Sequence, residues 1–587
     1  MKIKGLIGML TYKERLDDGF ELLETTDDIG RINSEDNETK GGSNEQSGSK
    51  DEDGNDKRGK SGSEGSKDKQ KKSGSGSDSE NRSDTGNETV SDRIGDNVKY
   101  IKAAFKSTEN VDIVIREFKI GWKLGACLVF IDGMADKTII NQFILRELMD
   151  KRKFNDLKEI DAEFLITRVL TINQIKTETK FKNVVNNILD GMSVLFVDGS
   201  EECIIMETRG YEKRNVDKPV TENVIRGSQE GFTENIRTNL TLIHKIVKNE
   251  NLQVEFIPLD ITNNAKCAIL YMRNIANPAV IKEVKRRLRG IKLDTILGDG
   301  MIEQMIEDSP FALVPQVMET ERPDRAASFI MEGKVVIITE GTPFVISVPV
   351  TFLNLIHSSE DSMLRWQYGS FLRMIRIFGM LLTILLPSLY VALTLYHQEM
   401  IPTLLLDSIA KSRENVPFPT VIEVLIMEVS FELIREGGIR IPSITGQTLG
   451  IIGALILGQA AVSAGLVSPI MIIIVAITGL GSFTIPNYGL SVGFRILRFI
   501  FIIFGGFAGF YGVAIGLFIF GGLLVSMKSF GVPFFAPISP TTRFSGDKAM
   551  RLPIWRQELR PDAVQTVNRR RQPHISRRWK LRGSDEK

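Results

Sequence analysis

The sequence predicts a soluble α/β region of two subdomains followed by a polytopic α-helical membrane domain. Three observations carry that prediction. The 587 residues average to 42% hydrophobic with a formal net charge of +1, but the average conceals three segregated compositions. Residues 31–95 are almost wholly Gly, Ser, Asp, Glu, Asn and Lys, with no aromatic residue between Phe20 and Tyr100. Residues 96–376 alternate short apolar runs with helical patterns, and residues 377–527 carry uncharged runs too long for a globular core. Such segregation excludes a simple soluble enzyme.

Residues 1–30 form an N-terminal segment with weak helical signals at Leu6, Leu10 and Tyr12. Its apolar run is cut short by Lys13 and Glu14 and lacks a small-residue cleavage site, so it does not read as a signal peptide and the soluble part is expected on the cytoplasmic side. Residues 31–95 bury too little apolar surface to offset their ordering entropy and are expected to act as a tether. Within them, Gly54 to Ser61 matches the phosphate-loop pattern GxxxxGK[ST]. A working loop needs a buried strand before it and a helix after it; these flanks are acidic and Gly/Ser-rich, so the match is a product of composition. Cys127, Cys203 and Cys267 are far apart and in no ligand spacing, which predicts buried structural thiols rather than a metal site or a disulfide framework.

From residue 96 to residue 376, Cys127–Ile131, Ser193–Val197, Ala268–Met272 and Val335–Thr339 are apolar runs of strand length. Ile139–Met149 and Val280–Leu288 are helical candidates between them, and the alternation predicts two subdomains divided near Asp217. Glu201, Glu202 and the acids from Asp294 to Asp299 have no nucleophile or His beside them and read as solvated surface. No catalytic constellation, cofactor motif or nucleic-acid-binding pattern emerges, so the chain is not expected to be an enzyme.

In the membrane part, Ile377–Tyr396 is 20 uncharged residues, enough for a hydrocarbon core about 30 Å thick. Ile441–Phe494 holds no charge in 54 residues, with a natural turn at Ser468-Pro469. Phe499–Met527, 29 residues punctuated by glycines, is either one tilted helix or a broken hairpin. Pro419–Glu436 is apolar all round yet carries Glu423, Glu428 and Glu432. Carboxylates facing lipid cost about 2.5–3.5 kcal/mol each, so these must face protein, water or the interface. Arg365, Arg373 and Arg376 place the first span's N-terminal end inside. Residues 528–587 hold 14 Lys and Arg against 5 Asp and Glu, a basic tail expected inside against anionic lipid. Both ends inside require an even number of spans, four or six.

Several stretches now quoted, with others beside them, resemble one family. Tyr396-His-Gln-Glu-Met-Ile-Pro-Thr403, Val416-Pro-Phe-Pro419, Phe431-Glu-Leu-Ile-Arg-Glu436, Gly453 to Val462 and Ser529-Phe-Gly-Val-Pro533 resemble the membrane half of the A subunit of spore-germination receptors, the GerA family. In the soluble half, Arg226 to Phe232, Glu321-Arg-Pro-Asp324, Gly341-Thr-Pro-Phe344 and Ser359-Glu-Asp361 are similar to the same family in the same order. The resemblance implies a nutrient-sensing complex in the spore inner membrane, with a transporter-like B subunit, a lipoprotein C subunit and a homo-oligomeric ring of A subunits that releases monovalent cations. A related paralogue in spore ion release and a stand-alone secondary permease stay open as alternatives.

With that implied role, helix geometry singles out site candidates. Gly450, Ala454, Gly458, Ala461 and Gly465 share one stripe of small residues, which suits close helix packing. About 120° round, Leu455, Gln459 and Val462 share another. Gln459 either hydrogen-bonds a second helix or lines water, with Leu455 and Val462 as an apolar constriction. Glu399, Glu428 and Glu432 are candidates for attracting cations at a pore mouth, the competing expectation being a local salt bridge from Glu432 to Arg435.

Overall fold

The computed structural model describes residues 89–106, 110–154, 161–210, 218–259, 265–440, 458–541 and 550–573. The N-terminal segment, most of the tether with its phosphate-loop match, the expected subdomain boundary at Asp217, and Gly450, Ala454 and Leu455 lie outside the described residues.

The soluble region is two antiparallel sheets built to one plan. The first subdomain runs α1 (Ile94–Phe105), β1 (Ile113–Ile120), β2 (Leu124–Ile131), α2 (137–149), β3 (Ile175–Glu178), α3 (Phe181–Leu189), β4 (Ser193–Val197) and β5 (Cys203–Met206). The second runs α4 (Ile236–Ile246), β6 (Leu252–Pro258), β7 (Lys266–Met272), α5 (Pro278–Gly290), α6 (Asp299–Ile306), β8 (Met318–Thr320), α7 (Pro323–Met331), β9 (Val335–Thr339), β10 (Val345–Val348) and α8 (Phe352–Ile356). Strand order is β1-β2-β4-β5-β3 in one sheet and β6-β7-β9-β10-β8 in the other. The two orders are identical in relative position. The four apolar runs read from the sequence are the interior strands β2, β4, β7 and β9, with β4 and β9 buried at every position. Across the junction, Asp112 Oδ2 meets His244 Nε2 at 3.1 Å with both side chains buried, and Lys248 pairs with Asp190 at 2.6 Å.

The quoted soluble motifs are clamps within the second subdomain. Arg322, 1% exposed, reaches Asp324 (2.9 Å) and the Ser228 carbonyl (2.9 Å), while Glu321 accepts from the amides of Val220 (2.7 Å) and Thr221 (3.0 Å). Asp361 is wholly buried and takes Arg376 through both oxygens (2.7 and 2.8 Å) and Arg373 at 3.0 Å. Burial alone would raise its pKa; the two guanidiniums outweigh that and hold it below the usual carboxylate range. Both arginines belong to the helix that leaves the soluble region, so this pair of contacts fixes its exit.

That helix is α9 (Trp366–Tyr396). It is followed by α10 (Thr403–Arg413), α11 (Thr420–Arg440), a helical stretch at 458–463, α12 (Pro469–Phe483) and α13 (Tyr488–Ser526). Among the described residues, α9 and α13 are long and apolar enough to cross a membrane, and α12 is a shorter apolar helix. α13 is not one rod. Ala508 (φ −136°, ψ 17°) and Gly509 (φ 59°, ψ −139°) leave helical geometry, and the rings of Phe494 and Phe520 lie 5.9 Å apart. In a straight helix those 26 residues would separate them by about 39 Å. α13 is therefore an antiparallel hairpin with arms of about 20 and 17 residues. A Cβ on Gly509 would stand 2.8 Å from His397 Cε1 and 3.0 Å from Tyr396 Cβ, and the Tyr396 hydroxyl donates to the Gly506 and Phe507 carbonyls, both at 2.9 Å. The end of α9 thus caps the hairpin tip.

After the hairpin the chain returns to the soluble region. β11 (Lys528–Ser529) and β12 (Val532–Pro533) pair, Ser529 Oγ bonds the Gln316 carbonyl (2.8 Å) and the Val350 amide (3.0 Å), and Phe530 enters the second subdomain's core at 1% exposure. The basic tail departs from expectation here. Arg551 is buried against the carbonyls of Leu364 (2.8 Å) and Ser362 (3.0 Å), and Arg560 against those of Met331 (2.8 Å) and Arg570 (2.6 Å). Carbonyl oxygens left over at loop and helix ends solvate these guanidiniums inside the protein, so they are withheld from lipid; Arg569, Arg570 and Arg571 remain exposed.

Candidate functional site

The helical domain buries a network of charges between α11 and the first arm of α13. Glu428 and Glu432, one turn apart on α11, face Arg495 and Arg498, one turn apart on α13. Arg498 Nη1 lies 3.0 Å from Glu428 Oε2, and its Nη2 donates to Glu432 Oε1 at 2.7 Å. Arg495 donates to the other Glu432 oxygen at 2.5 Å. Arg498 and Glu428 are both 0% exposed. Arg435, stacked over Phe483 with its guanidinium carbon 4.3 Å from the ring centroid, reaches Ser482 Oγ at 2.6 Å and stands 4.0 Å from Glu432. The local Glu432–Arg435 bridge expected from the sequence is thus the weakest of Glu432's contacts. Its principal partners lie more than 60 residues away.

Of the three surroundings expected for these glutamates, protein, water or the interface, the structure places Glu428 and Glu432 against protein, and Glu423 likewise. Fully buried, Glu423 accepts from the Ser468 amide at 2.6 Å, at the start of α12, with Arg413 at 3.6 Å. Glu399 sits elsewhere, exposed in the turn Gln398–Met400 beyond the end of α9. Within one chain the three expected pore-mouth acids do not come together: Glu399 is exposed at the tip end, and Glu428 and Glu432 are held by arginines. Gly458 is buried beside Ile472, Ala461 and Val462 pack against the α11–α12 core, Gly465 adopts φ 67°, and Gln459 is exposed. Sequence reasoning missed Arg495 and Arg498, which lie between the uncharged runs ending at Phe494 and beginning at Phe499. Their i, i+3 spacing is the readable signal, since it matches the i, i+4 spacing of Glu428 and Glu432.

In the second subdomain, Asp299, read as solvated, instead accepts from Thr342 Oγ1 at 2.7 Å beside two further acids. Burial, then its acidic neighbours, pushes Glu303 up to about 9 and Glu319 up to about 7. The three thiols are buried, and burial pushes each up to about 12, which leaves them inert at neutral pH.

Comparison with known proteins matches the chain to one group. Spore germination protein KA of Bacillus subtilis (strain 168) is 38% identical over 82% of this chain and 89% of its own length. The uncharacterized membrane protein YfkQ of the same organism is 38% identical over 78% of this chain and 89% of that one. The solved N-terminal domain of the A subunit of the Bacillus megaterium spore germinant receptor GerK3 is 30% identical, covering 45% of this chain and 97% of that one, with a TM-score of 0.35. Residues 99–563, which span both sheets, the charge network and most of the returning tail, match the Bacillus/Clostridium GerA spore germination protein family, and the chain belongs to that family.

Proposed function

We propose that the chain is the A subunit of a nutrient-responsive germinant receptor in the spore inner membrane, and that the α11–α13 charge network is the latch of a cation path. The observation that carries this reading is the burial of Glu428 and Arg498 at 0% exposure within apolar helices. Ionisable groups at such a depth are costly, and in membrane proteins they mark ion paths and moving elements. With the latch closed, the arginines neutralise both carboxylates. Separation of α11 from the hairpin arm frees two acids, one turn apart, to attract cations.

The proposed topology has six passes: α9, α11, the segment leading to Gly465, α12 and the two arms of α13, with both termini on the cytoplasmic side. A homo-oligomeric ring covers the exposed Gln459, and Leu455, Gln459 and Val462 line the path. A transporter-like B subunit and a lipoprotein C subunit complete the receptor, and the exposed arginines of the tail meet anionic lipid. Charge exchange tests the latch in spores carrying all three subunits. Glu432→Arg and Arg495→Glu alone should release potassium without nutrient, and the double exchange should restore nutrient dependence. Single variants that keep wild-type nutrient dependence at wild-type abundance refute the latch. Failure of B and C to copurify refutes the receptor assignment.

A further inference from the structure

Lys334, inside the protein, immediately precedes β9. It is 2% exposed, and its Nζ donates to Asn354 Oδ1 at 2.9 Å and lies 4.2 Å from the centroid of the Phe329 ring. Among the described residues no carboxylate pairs with it within 4 Å, and Glu332 acts on it only from farther off. The amide oxygen it uses is already shared, accepting from the Thr351 amide (3.2 Å) and hydroxyl (3.0 Å) in the cap of the helix Phe352–Ile356. A neutral acceptor and a ring face are thin compensation for a buried cation that offers three N–H donors. Burial pushes Lys334 down to about 8, so it still carries its charge at neutral pH.

Beside it is a cavity of about 90 Å³ whose wall includes Lys334, Asn354, His357, Gln557 and Arg571. That volume is about three waters' worth, the size of one carboxylate or phosphate group. Glu332 and Asp562 also contribute to the wall. The cavity is made by segments from opposite ends of the helical domain. Thr351–His357 precedes α9, Ala536 and Pro537 follow the hairpin, and the returning tail closes the third side. We infer that this cavity is a binding site for a small oxyanion, a free phosphate or the phosphate of a lipid headgroup, which supplies the counter-ion that Lys334 lacks and joins tail to soluble region.

The full chain, purified in a maltoside detergent without phosphate, tests this through its unfolding midpoint. One arm adds inorganic phosphate against chloride of equal ionic strength; a second transfers the protein into nanodiscs of phosphatidylglycerol without free phosphate. Wild type should show a saturable rise of several degrees in at least one arm, and the arm that responds identifies the source. Lys334→Met should lose the rise. Asn354→Asp keeps both cap acceptors while placing a carboxylate against Lys334, and it should lose the rise while remaining folded. If Lys334→Met does not fold, Asn354→Asp carries the comparison. No wild-type rise in either arm means that the cavity holds water alone, and a rise retained in whichever variant folds places the anion elsewhere; either result overturns the inference.

Discussion

Replacing Arg498 with Met tests how the buried charges depend on one another. Glu428 has one cation within 4 Å among the described residues, Arg498 at 3.0 Å, whereas Glu432 also holds Arg495 at 2.5 Å. Arg498→Met therefore leaves Glu428 buried and unpaired. Removing one partner of a buried pair costs about 3–5 kcal/mol. Glu428→Gln leaves Arg498 its 2.7 Å bond to Glu432, and should cost about 1.5–3 kcal/mol, the range of one interaction to a charged group. In the double variant the orphaned acid is gone, so its cost should fall short of the sum by about 2 kcal/mol. Unfolding of the full chain in mixed micelles, titrated with dodecyl sulfate, reads all three. Equal costs for the two single variants, or strict additivity in the double, refute the assignment of Arg498 as the shared counter-ion.

Three further outcomes follow from the geometry. Gly509→Ala puts a Cβ at φ 59°, ψ −139° and 2.8 Å from His397 Cε1; strain of about 1–3 kcal/mol plus the clash should lower the yield of folded protein on size-exclusion chromatography, and unchanged yield refutes the hairpin tip. Glu303 and Glu319 have folded pKa values raised above the ordinary carboxylate range, so their contribution to stability is complete below about pH 4.5 and is lost as pH rises through about 7 and 9. Glu303→Gln should therefore raise the unfolding midpoint by a few degrees at pH 8 and leave it unchanged at pH 4, and an equal shift at both pH values refutes the burial argument. Cysteines at Leu455, Gln459 and Val462 should become reactive to a water-soluble thiol reagent during nutrient-triggered release, while one at Ile470 should not. The native thiols give no background, because all three are buried; continued protection at all three engineered positions refutes this segment as the path.

The interior of the fold was legible in the sequence because burial leaves a mark. β2, β4, β7 and β9 are continuous apolar runs, and the carboxylates of α11 are legible as groups that lipid would not tolerate. Edge strands leave a fainter one. β1 carries two adjacent exposed charges, Arg116 and Glu117, among apolar neighbours, and β3 is Ile-Lys-Thr-Glu, half exposed. The repeated strand order was not legible, since it resides in pairing between distant strands and not in any recurring residue pattern. The glycines from Gly505 to Gly522 left one helix and a hairpin equally open. The decision falls at Gly509, whose backbone conformation composition does not encode. Net charge misdirected the reading of the tail, because Arg551 and Arg560 look like any other surface arginine until the carbonyls that surround them are known.

The return of the chain after the hairpin bears on how the protein is made. The second subdomain's core includes Phe530, whose amide donates to Asp308 (2.7 Å) and whose ring lies 4.2 Å from the Arg287 guanidinium. Residue 530 leaves the ribosome only after every membrane helix has been synthesised. The first subdomain, complete by Met206, can close its sheet while translation continues. Its sister must wait, with Asp308 Oδ2 and the Gln316 carbonyl each short of the partner that residues 529 and 530 supply and the place of the Phe530 ring over Arg287 unfilled, until the hairpin is inserted and the chain comes back to it. On the proposed topology insertion becomes a checkpoint for folding: a chain whose hairpin fails to enter the bilayer presents an unfinished soluble domain to the quality-control machinery, even though every residue of its two sheets has been made.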